Sequence, residues 1–312
     1  MSNKPAYTPL YLLSSDDNNN KIYIKRDDLI PFSFGGNKAR IAQEFVADMQ
    51  QKGKNFMVGY GNARSNLSRA LTNLCANKNI PCLIISPSED NGSRIETPNS
   101  KIVKNILGVQ FVECDKQKVA QCVLETLSEL REKGYNPYYI YGNEYGTGNE
   151  AVSVRAYLKA YDEIKEQGKE LNVQFDYIFL ATGTGMTQAG LILGKQKNNG
   201  AEKIVGISVA REKAKEVEVI KRYINSDAIE EIEICDKYLC GGYGAFDSGI
   251  EKQIIKMFKC YGIPLDPTYT GKGYYGMAKY IKECNIANKN ILFLHTGGTP
   301  LFFDWLSLRK DN

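Results

Sequence analysis

Residues 177–190 read Tyr-Ile-Phe-Leu-Ala-Thr-Gly-Thr-Gly-Met-Thr-Gln-Ala-Gly, an apolar run that breaks at Thr-Gly-Thr-Gly and continues into small residues. Apolar side chains on consecutive positions mark a strand covered on both faces. A strand followed by a glycine turn and a helix is the repeating unit of an open parallel sheet. The turn also has a chemistry. Free backbone N–H groups at a helix start, the positive end of the helix dipole and threonine hydroxyls together favour a phosphate. The stretch is neither a Walker loop, since no Gly-Lys-Ser/Thr follows, nor a dinucleotide fingerprint. A glycine turn kept for packing alone is the plainer reading of the same residues.

The pattern recurs on both sides. Segments 22–25, 56–59, 82–85, 109–112, 138–141, 204–209 and 291–295 read as strands, and 38–51, 66–76, 116–131 and 187–195 carry helical spacing. Their alternation predicts an α/β protein of open, twisted, mostly parallel sheets with flanking helices. The apolar segments 10–13 and 22–25 flank a Ser-Ser-Asp-Asp-Asn-Asn-Asn cluster at 14–20, a loop or a wide hairpin connection. A chain of 312 residues is long enough for two domains. No repeat or low-complexity linker marks a boundary.

Composition narrows the chemistry. The 40 basic and 36 acidic residues leave a net charge of +4 with no basic run, so nucleic acid is not an expected partner. The eight cysteines form no Cys-x-x-Cys pair and read as reduced thiols. No apolar signal region opens the chain and no stretch has the length of a membrane span, so a cytoplasmic protein without membrane contact is expected. A single histidine, His295, rules out a two-histidine zinc site within one chain, and no metal is expected. Lys, Tyr, Ser or a cofactor must then carry the chemistry.

Four further glycine turns hold candidate residues. Lys25-Arg26-Asp27-Asp28-Leu29 is followed by Ser33-Phe34-Gly35-Gly36-Asn37-Lys38-Ala39-Arg40, in which Asn37 can cap a helix whose first turn presents Lys38. The helix dipole disfavours a cation there, so Lys38 loses its proton more easily, as an imine-forming amine must. Gly59 to Arg69 places Ser65 and Asn66 at a helix start, a seat for a carboxylate or simply a cap. Leu265-Asp266-Pro267-Thr268-Tyr269-Thr270-Gly271-Lys272-Gly273 and His295-Thr296-Gly297-Gly298-Thr299-Pro300 are the last two. In open α/β sheets, sites gather beyond the carboxyl ends of strands, and five such turns suggest one crevice.

Taken in order, these motifs resemble the D-cysteine desulfhydrase and 1-aminocyclopropane-1-carboxylate (ACC) deaminase family of pyridoxal-phosphate (PLP) enzymes. The likeness runs from residue 25 to about 303 through Lys-Arg-Asp-Asp, Gly-Gly-Asn-Lys-x-Arg, Ser-Asn, Thr-Gly-x-Thr-Gln-Ala-Gly, Asp-Pro-x-Tyr-Thr-Gly-Lys and His-Thr-Gly-Gly. It implies the tryptophan synthase β-subunit fold (PLP fold type II), a small amino-acid substrate and a homodimer. It implies that Lys38 forms the Schiff base and moves the Cα proton. Asn66 would bond the ring oxygen, Ser65 the substrate carboxylate, and Thr184, Gly185, Met186 and Thr187 the phosphate. Tyr269 would be an acid/base or substrate-contacting group against the ring, with Tyr243 a second active-site tyrosine; both also read as core aromatics.

Within the family, ACC deaminases resemble Tyr-Glu-Gly-Lys and His-Leu-Gly-Gly, where this chain has Thr270 and Thr296. A threonine hydroxyl near the pyridine nitrogen does not favour its protonation as a carboxylate would. This points to β-elimination, giving a 2-oxo acid and ammonia, over ring opening. β-Replacement, a degenerate PLP-binding protein and a nucleotide-binding Rossmann protein are the alternatives. The family's phosphate-binding second lysine is replaced by Ile41, and Arg64 and Leu67 flank Ser65-Asn66 where glutamines are usual. The expected domains are residues 1–45 with 153–312, carrying Lys38 and the phosphate turn, and residues 46–152, carrying Ser65 and Asn66.

Overall fold

A computed structural model describes residues 7–89, 92–224 and 226–309. Ten strands run in chain order: β1 (Leu10–Ser15), β2 (Lys21–Arg26), β3 (Phe56–Tyr60), β4 (Cys82–Pro87), β5 (Val109–Cys114), β6 (Pro137–Tyr139), β7 (Tyr177–Thr182), β8 (Lys203–Ser208), β9 (Glu233–Cys235) and β10 (Asn290–His295). They form two separate sheets in two compact units, Met1–Asn37 with Val154–Asn312, and Lys38–Ser153.

The first unit carries the six-stranded sheet in the order β1-β2-β10-β7-β8-β9. All neighbours are parallel except β1, which pairs antiparallel with β2 across the polar cluster at 14–20. Central strands β2, β10, β7 and β8 are buried at five of six positions, whereas edge strand β1 is mostly half-exposed. That is why β7 and β10 read as nearly continuous apolar runs, whereas β2 ends on the buried, paired Lys25 and Arg26. Ile24, Phe179, Val205, Ile207 and Phe293 of this sheet pack with Ile254, Met257 and Met277 of the helices Ser248–Tyr261 and Thr270–Glu283.

The second unit carries a four-stranded, all-parallel sheet in the order β5-β4-β3-β6. Helix Asn37–Gln51 runs without interruption across residue 45, and the compact units meet at Asn37 and Lys38.

Local boundaries differ from the sequence reading where backbone chemistry intervenes. The strand expected at 138–141 is only Pro137–Tyr139, because Gly142 turns back to bond the Tyr139 carbonyl. The helix expected from residue 116 opens with a 3₁₀ turn, Lys116–Lys118, before Val119–Glu132. Strand β9 was not foreseen, since three residues are too few to show a period. Among the described residues no helix is long and apolar enough to cross a membrane.

Candidate active site

Beyond β2 the chain makes a tight left-handed turn, with positive φ at Ser33, Phe34, Gly35 and Gly36. Gly35 lies on the Asp28 carbonyl, where an added Cβ would stand 2.0 Å away. At Gly36, φ is +96° and a Cβ would meet the Thr296 carbonyl at 2.9 Å. Only glycine permits both the conformation and the approach. The payoff is at the next residue: the Asn37 amide donates to the Thr296 carbonyl at 3.0 Å, and its Nδ2 donates to Thr187 Oγ1 at 2.9 Å. Asn37, expected to cap the following helix, is instead its first residue and spends its side chain on Thr187.

The Lys-Arg-Asp-Asp motif supports this turn rather than reacting. Lys25, fully buried, donates to Glu163 Oε1 at 2.6 Å, Gln167 Oε1 at 2.8 Å and both oxygens of Thr8. Arg26 grips Asp28 with two bonds of 2.8 and 2.7 Å. The buried Asp27 accepts from Thr8 Oγ1 at 2.7 Å and from the Tyr157 hydroxyl, and its carbonyl takes the Gly36 amide. A buried carboxylate fully bonded in this way is a strut.

Lys38 opens the second unit as the second residue of helix Asn37–Gln51. Burial pushes its amine down from the usual 10.5 to about 8. The cause is desolvation, acting in the same direction as the helix dipole expected from the sequence.

The 182–187 turn closes β7 as anticipated. Gly185, with φ +74°, opens helix Met186–Lys197, and no side chain caps it. Its first amides therefore lack intrahelical acceptors and point at whatever sits above the turn. Thr187 is committed to Asn37 through its hydroxyl oxygen, and Thr184 is exposed. Thr182 turns away and donates to Glu216 Oε1 at 3.1 Å. Arg211 supports the turn from the β8 side, donating to the Gly183 carbonyl and lying 3.3 Å from Glu216 Oε2. Burial raises the Glu216 carboxyl, with Arg211 and Thr182 opposing it. Sequence reasoning missed this pair, which lies about thirty residues downstream with no glycine motif to flag it.

The last two motifs converge in the same unit. Tyr243 and Tyr269 face each other with hydroxyls 2.5 Å apart and rings edge to face at 5.8 Å. Tyr269 is set by the fully buried Asp266, whose Oδ1 accepts from the amides of Thr268 (2.9 Å) and Tyr269 (2.7 Å). Asp266 Oδ2 accepts from the Thr270 amide at 3.0 Å and hydroxyl at 2.8 Å. Desolvation raises the Asp266 carboxyl and these four donors hold it down. Thr270 Oγ1 is thus engaged with Asp266, and Thr296 contributes its carbonyl to Asn37. His295 accepts the Gly297 amide at Nδ1 (3.2 Å), so its Nε2 carries the proton and donates to the Pro264 carbonyl at 2.8 Å. It is a buried strut between two turns.

In the second unit Ser65 caps helix Asn66–Asn77, its Oγ accepting from the Ser68 amide at 3.1 Å, and its own proton remains to be donated. Asn66 Oδ1 accepts from Asn99 Nδ2 at 2.9 Å and Arg69 Nη2 at 3.3 Å, which leaves its NH₂ as the outward donor. Asn99 also bonds the Arg64 carbonyl at 3.0 Å, and Thr97 the Ala63 carbonyl. The segment 97–99 therefore sets the Ser65 loop, a role without any sequence signature. Ile41 and Leu67 are buried core residues, so apolar packing accounts for both departures from the family pattern.

These residues fit a phosphorylated aldehyde. Gly185 leaves an uncapped helix start for the phosphate, Asn37 ties that turn to the residue preceding Lys38, and burial prepares the Lys38 amine. In the second unit, the buried Ser68 hydroxyl, against Gly61 in the Ser65 turn, has no protein partner among the described residues. Two parallel-sheet α/β units with an amine so prepared define a class of enzyme that works through a bound carbonyl cofactor. The chain belongs to the pyridoxal-phosphate dependent enzymes, whose family profile matches residues 1–297. It is similar to a D-cysteine desulfhydrase of Serratia proteamaculans, 31% identical over 309 residues, covering 95% of this chain and 92% of that protein. A D-cysteine desulfhydrase of Salmonella newport is 30% identical over 312 residues, covering 96% and 93%. Among solved structures, an ACC deaminase homologue matches with a TM-score of 0.80 at 28% identity over 97% of this chain and 93% of that one. A hydrogen sulfide-producing enzyme of Fusobacterium nucleatum shares the fold, with a TM-score of 0.65 at 20% identity over 95% and 98%.

Proposed function

We propose that the protein eliminates the β-substituent of a small, D-cysteine-like amino acid, giving a 2-oxo acid, ammonia and, from cysteine, sulfide. Bound pyridoxal phosphate supplies the electron sink that makes the substrate Cα–H acidic. Lys38 would hold the cofactor through its amine and, once the substrate amine has taken its place there, the freed amine, with its pKa near 8, would take the Cα proton at near-neutral pH. Thr184, Gly185, Met186 and Thr187 would receive the phosphate, and the Asn66 NH₂ would donate to the ring oxygen. The Ser65 hydroxyl and the amides after it orient the substrate carboxylate.

The observation that carries the reading is the hydroxyl pair of Tyr243 and Tyr269, 2.5 Å apart. Two phenols in line can pass a proton to a departing thiolate without either residing as a full anion. Thr270 and Thr296 would offer the ring nitrogen hydroxyls in place of a carboxylate side chain at those positions. That weaker sink is sufficient when the β-substituent leaves readily. The full-length likeness to two D-cysteine desulfhydrases supports the same substrate class.

A panel of D-cysteine, L-cysteine, D-serine and ACC tests this. Pyruvate with sulfide from D-cysteine is expected. 2-Oxobutyrate from ACC would favour the ring-opening reaction instead, and no turnover of any amino acid by cofactor-loaded protein would contradict catalysis. The reading also carries a cytoplasmic homodimer, for which light scattering should return twice the 35.0 kDa chain mass.

A further inference from the structure

We infer that Lys272 is the positioning residue that holds the Tyr243 hydroxyl against Tyr269. The inference rests on the proposed role of that tyrosine pair. Lys272, in the first turn of helix Thr270–Glu283, is fully buried. Its Nζ donates to three backbone carbonyls: Leu239 and Gly242 at 2.8 Å each, and Val209, just past β8, at 3.2 Å. An ammonium has three N–H donors, and all three are used.

The geometry explains why a lysine is placed there. The loop 239–244 has positive φ at Cys240, Gly241, Gly242 and Gly244 and makes only turn bonds of its own, Gly242 N–H to the Leu239 carbonyl at 3.0 Å and Ala245 N–H to the Gly242 carbonyl at 3.3 Å, so Lys272 is a further support on those same two carbonyls. Leu239 and Gly242 bracket its tip, and Tyr243 follows at once, with more than a third of its surface exposed. Tyr269 lies three residues before Lys272, at the start of the same helix. One helical turn thus grips the loop twice, by the Lys272 ammonium on its backbone and by the Tyr269 hydroxyl on its side chain. Burial lowers the Lys272 amine, and Cys240, Asp266 and Asp247 oppose that shift.

Displacing a proton-relaying hydroxyl by about 1 Å can cost on the order of a hundredfold in rate. Lys272→Met removes the ammonium and keeps the stem. It is expected to lower kcat by at least about tenfold with little change in KM, and to leave visible cofactor absorbance intact. Against Tyr243→Phe the effect should vanish: the double variant is expected within about twofold of Tyr243→Phe alone. Equal losses in both backgrounds, or wild-type kcat in Lys272→Met, overturn the inference. Wild-type kcat in Tyr243→Phe would instead sink the tyrosine reading on which it rests. Lys272→Gln, a shorter neutral donor, carries the same cycle if Lys272→Met does not fold. Should neither fold, hydrogen exchange across 239–244 of the wild type decides: slow exchange is expected, and exchange at the rate of an unstructured peptide contradicts the tether.

Discussion

Asn37 Nδ2 donates to Thr187 Oγ1 at 2.9 Å, so the residue before Lys38 is bonded to the turn proposed to receive the phosphate. Loss of such a bond is worth about 1 kcal/mol or somewhat more. Asn37→Ala is expected to weaken PLP affinity by about five- to tenfold in a titration of the apoprotein. Thr187→Val should weaken it at least as much, since Thr187 is also proposed to receive the phosphate, and the double variant should be little worse than Thr187→Val alone, because the Asn37 contribution runs through that hydroxyl.

Burial holds the Lys38 amine near 8, against 10.5 for an ordinary lysine. The neutral amine captures the aldehyde. The rate of PLP capture by apoprotein should therefore climb about tenfold per pH unit below 8 and level off above it, read by stopped-flow absorbance. The native state binds fewer protons than the unfolded chain between about 8 and 10.5, so apoprotein stability rises with pH across that window. Below about 8 the cost of the buried charge is fully present. Lys38→Met should remove the share of that slope that Lys38 contributes.

Asp266 accepts four donors from residues 268–270, and replacing one carboxylate oxygen by an NH₂ sets donor against donor. Asp266→Asn is expected to destabilise the fold by about 2 kcal/mol in urea melts. It should also lower kcat, because the Tyr269 amide loses its anchor.

Lys25 and Glu163 form a buried pair at 2.6 Å, whereas Lys197 and Asp162 pair at 2.9 Å on the surface. Glu163→Ala strands a buried ammonium and should cost about 3 kcal/mol. Lys197→Ala should cost less than about 1 kcal/mol. Thermal unfolding of the two variants side by side checks the contrast.

Much of this was legible in the sequence because strands buried on both faces write continuous apolar runs, as at 177–182 and 290–295, and because glycines mark the turns beyond them. Gly35-Gly36 and Gly185 are readable since only glycine tolerates their backbone. The supports were not legible. Glu216 with Thr182, Asn99 with Asn66, and Lys272 with the 239–242 carbonyls act across long sequence separations through single polar bonds, which leave no period or spacing. Lys25-Arg26-Asp27-Asp28 was readable as a motif, yet its function as a buried scaffold emerges only from Thr8, Tyr157, Glu163 and Gln167. Strand β9, at three residues, fell below the length at which a pattern exists.

Borohydride reduction of the PLP-loaded protein followed by peptide mapping addresses the central claim most directly. A single phosphopyridoxyl adduct on Lys38, with loss of the visible absorbance, is the result expected. An adduct confined to another lysine, or a protein that stays colourless in excess PLP, would contradict the account.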